Sequence, residues 1–234
     1  MKKSLIDMLN TNKLSLIVSL PSNDIELARE AVQNGADAIK VHINVSHRAS
    51  GNDFGSVEEN KEFLKQLVDE FDCPIGIVPS DSHEKIMKEE IEFLESIGFS
   101  YFSIYMQDCP TFLLNSKLEK TVAGNYDYQL EEIKHIDQVG VQAFEASIIH
   151  GDEYGTPINV SDLLKYTSIV ENVNVPVIVP TQRKVIPEDV RALYKTGVKA
   201  IMAGAVSIGT EKESIGRTVK EFRKAFDEII TEEA

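Results

Sequence analysis

Little in this sequence points toward a membrane, a nucleic acid or a metal. No stretch approaches the roughly 18 uninterrupted apolar residues that a membrane-spanning helix needs. The opening MKKSLIDMLNTNK has neither the apolar core nor the small-residue cleavage site of a signal peptide. Cysteine is scarce. Cys73 and Cys109 stand far apart and outside any metal-ligand spacing, which fits a reduced, cytoplasmic setting. Positive charge is in deficit, with 24 Lys and Arg against 38 Asp and Glu and a net charge of −14. That balance excludes nucleic acid and anionic membrane as partners, because each needs a basic face. The chain also lacks a Walker phosphate loop, a GxSxG turn and any His/Asp/Glu grouping with metal spacing. No metal and no cofactor are expected.

What is present is an alternation of short apolar runs with amphipathic segments. The 234 residues, 42% apolar, suit one large domain, expected to span 1–234. Strands are expected at 14–19, 37–43, 74–78, 100–106, 119–124, 142–148, 175–180 and 199–204. Helical patterns lie between them. One is Asp24–Asn34, which Asn23 is expected to cap with Glu26 reaching back. Four joints repeat one form: Gly35-Ala36-Asp37, Gly98-Phe99-Ser100, Gly140-Val141-Gln142 and Gly197-Val198-Lys199. A glycine that ends a helix, followed by an apolar contact, explains it. Eight strands with intervening helices predict an α/β fold, a single parallel eight-stranded (β/α)8 TIM barrel. The competing open doubly wound sheet often has a glycine-rich first turn, and the first turn here is Leu20-Pro21-Ser22-Asn23.

In such a barrel the site lies at the C-terminal ends of the strands. Strand alternation turns Ile39, Val41 and Ile43 outward and Lys40, His42 and Asn44 inward. The same parity puts Glu145 and Ser147 inside. Glu145 is the natural partner for Lys40 or Lys120, either as a general base or as a structural counter-ion. Lys40, His42 and Glu145 are the catalytic candidates. The loop Val45–Ser56 exceeds the usual length of about 2–6 residues and carries His47 and Arg48, so it reads as a lid. Gln107 stands at mouth depth after the fourth strand.

The block 175–209 holds two adjacent strand exits, Thr181-Gln182-Arg183-Lys184 and Gly204-Ala205. Backbone N–H groups beside small residues, with cationic side chains, suit an anion. Arg183, Lys184, Gly204, Ala205, Asn44, Arg48 and Gln107 are therefore the expected substrate and phosphate contacts. The expected partner is a small phosphorylated metabolite, and a homodimer is left open. Isomerisation or epimerisation by proton transfer next to a carbonyl is the favoured chemistry. The alternatives are a Schiff-base carbon–carbon lyase using Lys40 or Lys120, and a non-catalytic phosphometabolite-binding barrel.

With this terminal block, Thr181–Lys184 and Gly204–Ser207, the chain resembles the ribulose-phosphate-binding barrel superfamily of phosphosugar enzymes and sugar-phosphate epimerases. The resemblance implies a phosphate held by amides after the seventh and eighth strands. Leu16-Ile17-Val18-Ser19, Pro74–Val78 and Arg183 are similar to the N-acetylmannosamine-6-phosphate 2-epimerases. Where that family has its catalytic lysine, its acidic residue before the strand-seven turn and its strand-one glutamine, this chain has Pro79, Pro180-Thr181 and Pro21. The loop ending Phe54-Gly55-Ser56 is similar to that of the indole-3-glycerol-phosphate synthases, whose strand-three lysine is likewise absent.

Overall fold

A computed structural model describes residues 3–232; the outer ends of the expected 1–234 domain lie outside the described residues. The chain runs α1 (Leu5–Thr11), β1 (Ser15–Ser19), α2 (Ile25–Gln33), β2 (Ala38–His42), β3 (Val45–His47), β4 (Asn52–Phe54) and α3 (Val57–Glu70). It continues β5 (Ile75–Val78), α4 (Lys88–Ile97), β6 (Tyr101–Tyr105), β7 (Glu119–Ala123), α5 (Leu130–Ile133), β8 (Ala143–Glu145) and α6 (Val160–Asn172). It ends β9 (Val177–Pro180), α7 (Val190–Tyr194), β10 (Ala200–Ala203), α8 (Ala205–Ile208) and α9 (Lys212–Glu232). Among the described residues, β1, β2 and β5–β10 close into one parallel barrel, with β1 bonded to both β2 and β10. β3 and β4 form a separate antiparallel hairpin.

Period-2 alternation divides the strand residues between two cores. Leu16, Val18, Ile39, Val41, Phe102, Phe144, Val179 and Ile201 face outward and pack beneath the helices. Ile17, Ala38, Tyr101, Ala143, Ile178, Ala200 and Met202 face inward. The four predicted glycine joints turn with φ between 86° and 109°, a region open to glycine at little cost. Asp24 rather than Asn23 caps α2, its carboxylate accepting from Glu26 N at 2.8 Å. Asn23 instead donates to His42 O and Asn60 Oδ1, each at 2.8 Å, which ties the first turn to the second.

Two departures from a regular alternation shape the molecule. Between β6 and β7 the chain forms only 3-10 turns, Met106–Asp108 and Thr111–Asn115, because Pro110 interrupts a segment too short for a full helix. At the other end of the barrel α1 acts as a plug. Leu5 and Leu9, one turn apart, insert beneath Ile17, Tyr101, Ile178 and Met202. Glu119 points inward at the start of β7 and caps this helix, accepting from Leu5 N at 2.7 Å. A carboxylate there also complements the helix dipole. Tyr101 crosses the floor and donates to Ile39 O at 3.2 Å. It can do so because Gly76 opposite has no side chain; a Cβ there would lie 2.1 Å from the Tyr101 ring.

Leu9→Ala is expected to lower unfolding stability by about 2–5 kcal/mol, the usual cost of a fully buried leucine. Urea titration would measure it. A loss of about 0.5 kcal/mol, as for a surface residue, would show that α1 is not part of the core.

Candidate functional site

The plug leaves the opposite, C-terminal mouth as the open end. A cavity of about 470 Å³ lies there. Its floor is a buried ion pair. Lys40 from β2 and Glu145 from β8 stand four strands apart around the barrel and meet inside it. Lys40 Nζ donates to Glu145 Oε2 at 2.9 Å and to Oε1 at 3.2 Å. Their side chains are only 8% and 3% exposed. Ser103 from β6 adds a short hydrogen bond from its hydroxyl to Glu145 Oε1. The structure thus brings Lys40 and Glu145 together as strand parity predicted.

His42 lies one inward position further toward the mouth. Its ring centroid is 4.6 Å from that of His47 and 4.8 Å from Phe54. Its Nδ1 is buried without a hydrogen-bond partner among the described residues. Burial, and then the nearby charges of His47 and Lys40, push its pKa well below the usual imidazole value. His47 is held at about 4, by burial first and then by Lys40. Both rings are therefore neutral at neutral pH. His47, with Nδ1 2.8 Å from Ser50 Oγ, belongs to the β3–β4 hairpin, which covers one side of the mouth. The hairpin is moored by Ser46 N to Asp81 Oδ2 at 3.0 Å and by Asn52 Nδ2 to Pro21 O at 2.8 Å. Arg48 lines the cavity and lies so close against Gly151 that a Cβ there would be 1.6 Å from Nη1. The lid thus reaches the β8–α6 loop.

Gln107, Gly204 and Ala205 also line the cavity. Gly204 N is already used, donating to Thr181 Oγ1 at 2.9 Å. The Ala205 and Val206 amides open α8 and have no intrahelical acceptor.

Four expectations need correction. Arg183 does not enter the cavity. It is 6% exposed and donates from Nε to Asp162 Oδ2 at 2.9 Å and from Nη2 to Asp162 Oδ1 at 3.2 Å. Further bonds reach Glu153 and Thr156. Gln182 N bonds back to Pro180 O, a tight turn that swings the next side chain outward beneath the β8–α6 loop. Lys184 is exposed outside the mouth, where its backbone bridges to Pro157. Asn44 leaves the strand at φ 52°, which ends the alternation that would have aimed it inward. Its amide donates to Glu90 Oε2 at 2.9 Å and Pro79 O at 3.4 Å. Lys120 faces outward on β7 and donates to Ser116 O at 2.7 Å, so it is no partner for Glu145.

Ser19, Ser103, Tyr105 and Tyr154 line the cavity and were not among the expected site residues, whereas Thr181 and Gln182 line it as part of the strand exit already read as an anion site. Ser19, Ser103 and Tyr105 share the inward parity already applied to Lys40, so that signal was available. Tyr154 lies in a loop and carried no such signal.

No protein-family model matches the chain, and none of the curated proteins matches it. Among solved structures the chain is similar to thiamine phosphate pyrophosphorylase from Pyrococcus furiosus, at 22% identity and a TM-score of 0.66 over 94% of this chain and 98% of that one. It is also similar to a chain of the tryptophan synthase complex from Pyrococcus furiosus, at 17% identity and a TM-score of 0.68 over 89% of this chain and 97% of that one. A native KDPGal structure gives 15% identity and a TM-score of 0.66 over 99% and 100%. At these identities the likeness establishes the fold. The protein is a (β/α)8 barrel of the TIM type. Among the described residues no helix is long and apolar enough to cross a membrane.

Two measurements check this geometry. Arg183→Ala leaves Asp162, 1% exposed, without its partner, and is expected to cost about 3–5 kcal/mol of stability in denaturant titration. Wild-type stability in that variant would return Arg183 to the list of ligand contacts. The second measurement is pH dependence. An unfolded imidazole titrates near 6.5, whereas His47 titrates at about 4 in the fold. Between these values the unfolded chain binds more protons, so stability falls as pH drops, by up to about 1.4 kcal/mol per pH unit for each such histidine. His47→Gln is expected to flatten the slope of the unfolding midpoint between pH 6.5 and 4. An unchanged slope would contradict the burial of this ring.

Proposed function

We propose that this barrel binds a small phosphorylated metabolite, a sugar phosphate, and moves a proton at the carbon next to its carbonyl. The observation that carries this reading is the Lys40–Glu145 pair, buried at the floor of an open mouth cavity. Such a reaction needs a base for the C–H proton and a positive group for the oxygen that becomes an enolate. Glu145 is the base. Lys40 faces the carbonyl oxygen and balances the charge it gains. Ser103 holds Glu145 Oε1, so Oε2, bonded to Lys40, is the oxygen that takes the proton once Lys40 turns to the carbonyl. The proton then returns from Glu145 to the same or the neighbouring carbon. His42, neutral and next above Lys40, is a polar contact for a second oxygen of the substrate.

Phosphate binding falls to the Ala205 and Val206 amides and to Arg48, not to Arg183. Grip on a remote phosphate orients the reacting carbon over the pair. One similar structure, thiamine phosphate pyrophosphorylase, carries a phosphorylated small molecule in its name, which is compatible with this class of ligand. The sequence resemblance to the N-acetylmannosamine-6-phosphate 2-epimerases is compatible with this reaction type but does not supply its residues, since Pro79 stands in place of their lysine.

A Schiff-base reading is favoured by one feature, the direct contact of Lys40 with a carboxylate. Glu145 could take the ammonium proton, and the freed amine could add to a carbonyl with loss of water. The two chemistries separate cleanly. Incubation with aldose and ketose phosphates in D2O is expected to put deuterium at the carbon next to the carbonyl, read by NMR. Glu145→Gln is expected to slow this about 10²- to 10⁴-fold. Borohydride trapping that attaches substrate to Lys40 would instead establish the imine. No exchange and no adduct would leave a non-catalytic binding barrel.

A further inference from the structure

Gln182 sits in the wall of the cavity, 7% exposed, with its carboxamide fully engaged. Ile149 N donates to its Oε1 at 3.1 Å, and its Nε2 donates to Ser147 O at 3.3 Å. These two backbone groups determine which end of the amide is nitrogen. The remaining N–H points to Tyr154 Oη at 2.5 Å. Tyr154 is therefore an acceptor at this contact. A phenol oxygen has one proton and two lone pairs. With Gln182 on one lone pair, the proton of Tyr154 is left for another acceptor, and Tyr154 lines the mouth cavity.

We infer that Tyr154 is a hydrogen-bond donor to the carbonyl or enolate oxygen of the ligand, and that Gln182 is the positioning residue that fixes this polarity. The inference rests on the reading of the cavity as a carbonyl-handling site. Lys40 supplies charge from the floor. Tyr154 adds a neutral donor from the β8–α6 loop, aimed before the oxygen gains its charge, so no reorganisation is needed as it does. The fixed amide also links two loops. Ile149 and Ser147 are held by the same side chain that orients Tyr154, so the donor is set by the barrel wall rather than by a free loop.

Glycolate and 2-phosphoglycolate are suitable probes, because each presents a planar pair of oxygens like an enediolate. Their affinities would be read by NMR titration of the full chain, with inorganic phosphate as a control. Tyr154→Phe is expected to weaken both carboxylates about 10- to 100-fold, the effect of losing one hydrogen bond to a charged acceptor, and to leave inorganic phosphate unchanged. Gln182→Glu reverses the polarity, since a carboxylate accepts the Tyr154 proton. It is expected to weaken both carboxylates as Tyr154→Phe does, although the phenol is still present. The double variant is expected to lose no more than either single one. If Gln182→Glu fails to fold, Tyr154→Phe alone decides. Glycolate bound by Tyr154→Phe as tightly as by wild type, or lost together with inorganic phosphate, would overturn the assignment, as would a wild type that binds no glycolate. A wild type that binds glycolate but gains nothing from the phosphate of 2-phosphoglycolate would retire the phosphate reading and support Tyr154 on its own.

Discussion

Lys40 and Glu145 are bound to each other by the medium around them. Neither can hold its charge alone inside a barrel. The cost of withdrawing an ion from water is several kcal/mol even after relaxation, and an attraction at 2.9 Å offsets it only when the remaining hydrogen-bonding positions are filled. Ser103 fills one of them. An apolar pair of similar volume would often serve stability as well or better. The layer just beneath shows that apolar solution, with Ile17, Tyr101, Ile178 and Met202 packed on Leu5 and Leu9. The barrel interior is therefore split. The lower half is apolar and closed by a helix, and the upper half is polar and open.

That split organises the mouth. Neutral His42 and His47 line the lid side, and the β3–β4 hairpin keeps them covered. Hydrogen-bonding groups without charge line the β8–β9 side, through Ser147, Gln182 and Tyr154. The amides at the start of α8 lie beside β10. Arg183 serves this arrangement from outside. Its bonds to Asp162, Glu153 and Thr156 anchor the loop that carries Tyr154. An arginine expected to grip the ligand instead braces the wall that the ligand meets.

The fold was legible because two periods and one joint repeat along the chain. Apolar strand runs recur around the barrel and helix-ending glycines mark four of its joints, and alternation along those runs fixes parity for Lys40 and Glu145 as well. What parity cannot reach is the chain beyond the last strand residue. Asn44 left the alternation through a left-handed backbone, and Arg183 through a tight turn after Pro180. Lys120 had the parity of an outward residue from the start. The α1 plug was invisible for another reason. Its two leucines have a partner only once the barrel has closed, and its cap, Glu119, is far away in sequence.

The most direct test of the central claim is a crystal structure with 2-phosphoglycolate bound. Carboxylate density over Lys40 and Tyr154, with the phosphate on the Ala205 and Val206 amides, is the expected result. An empty mouth with intact Lys40–Glu145 contacts at saturating ligand, or ligand density elsewhere on the barrel, would contradict it.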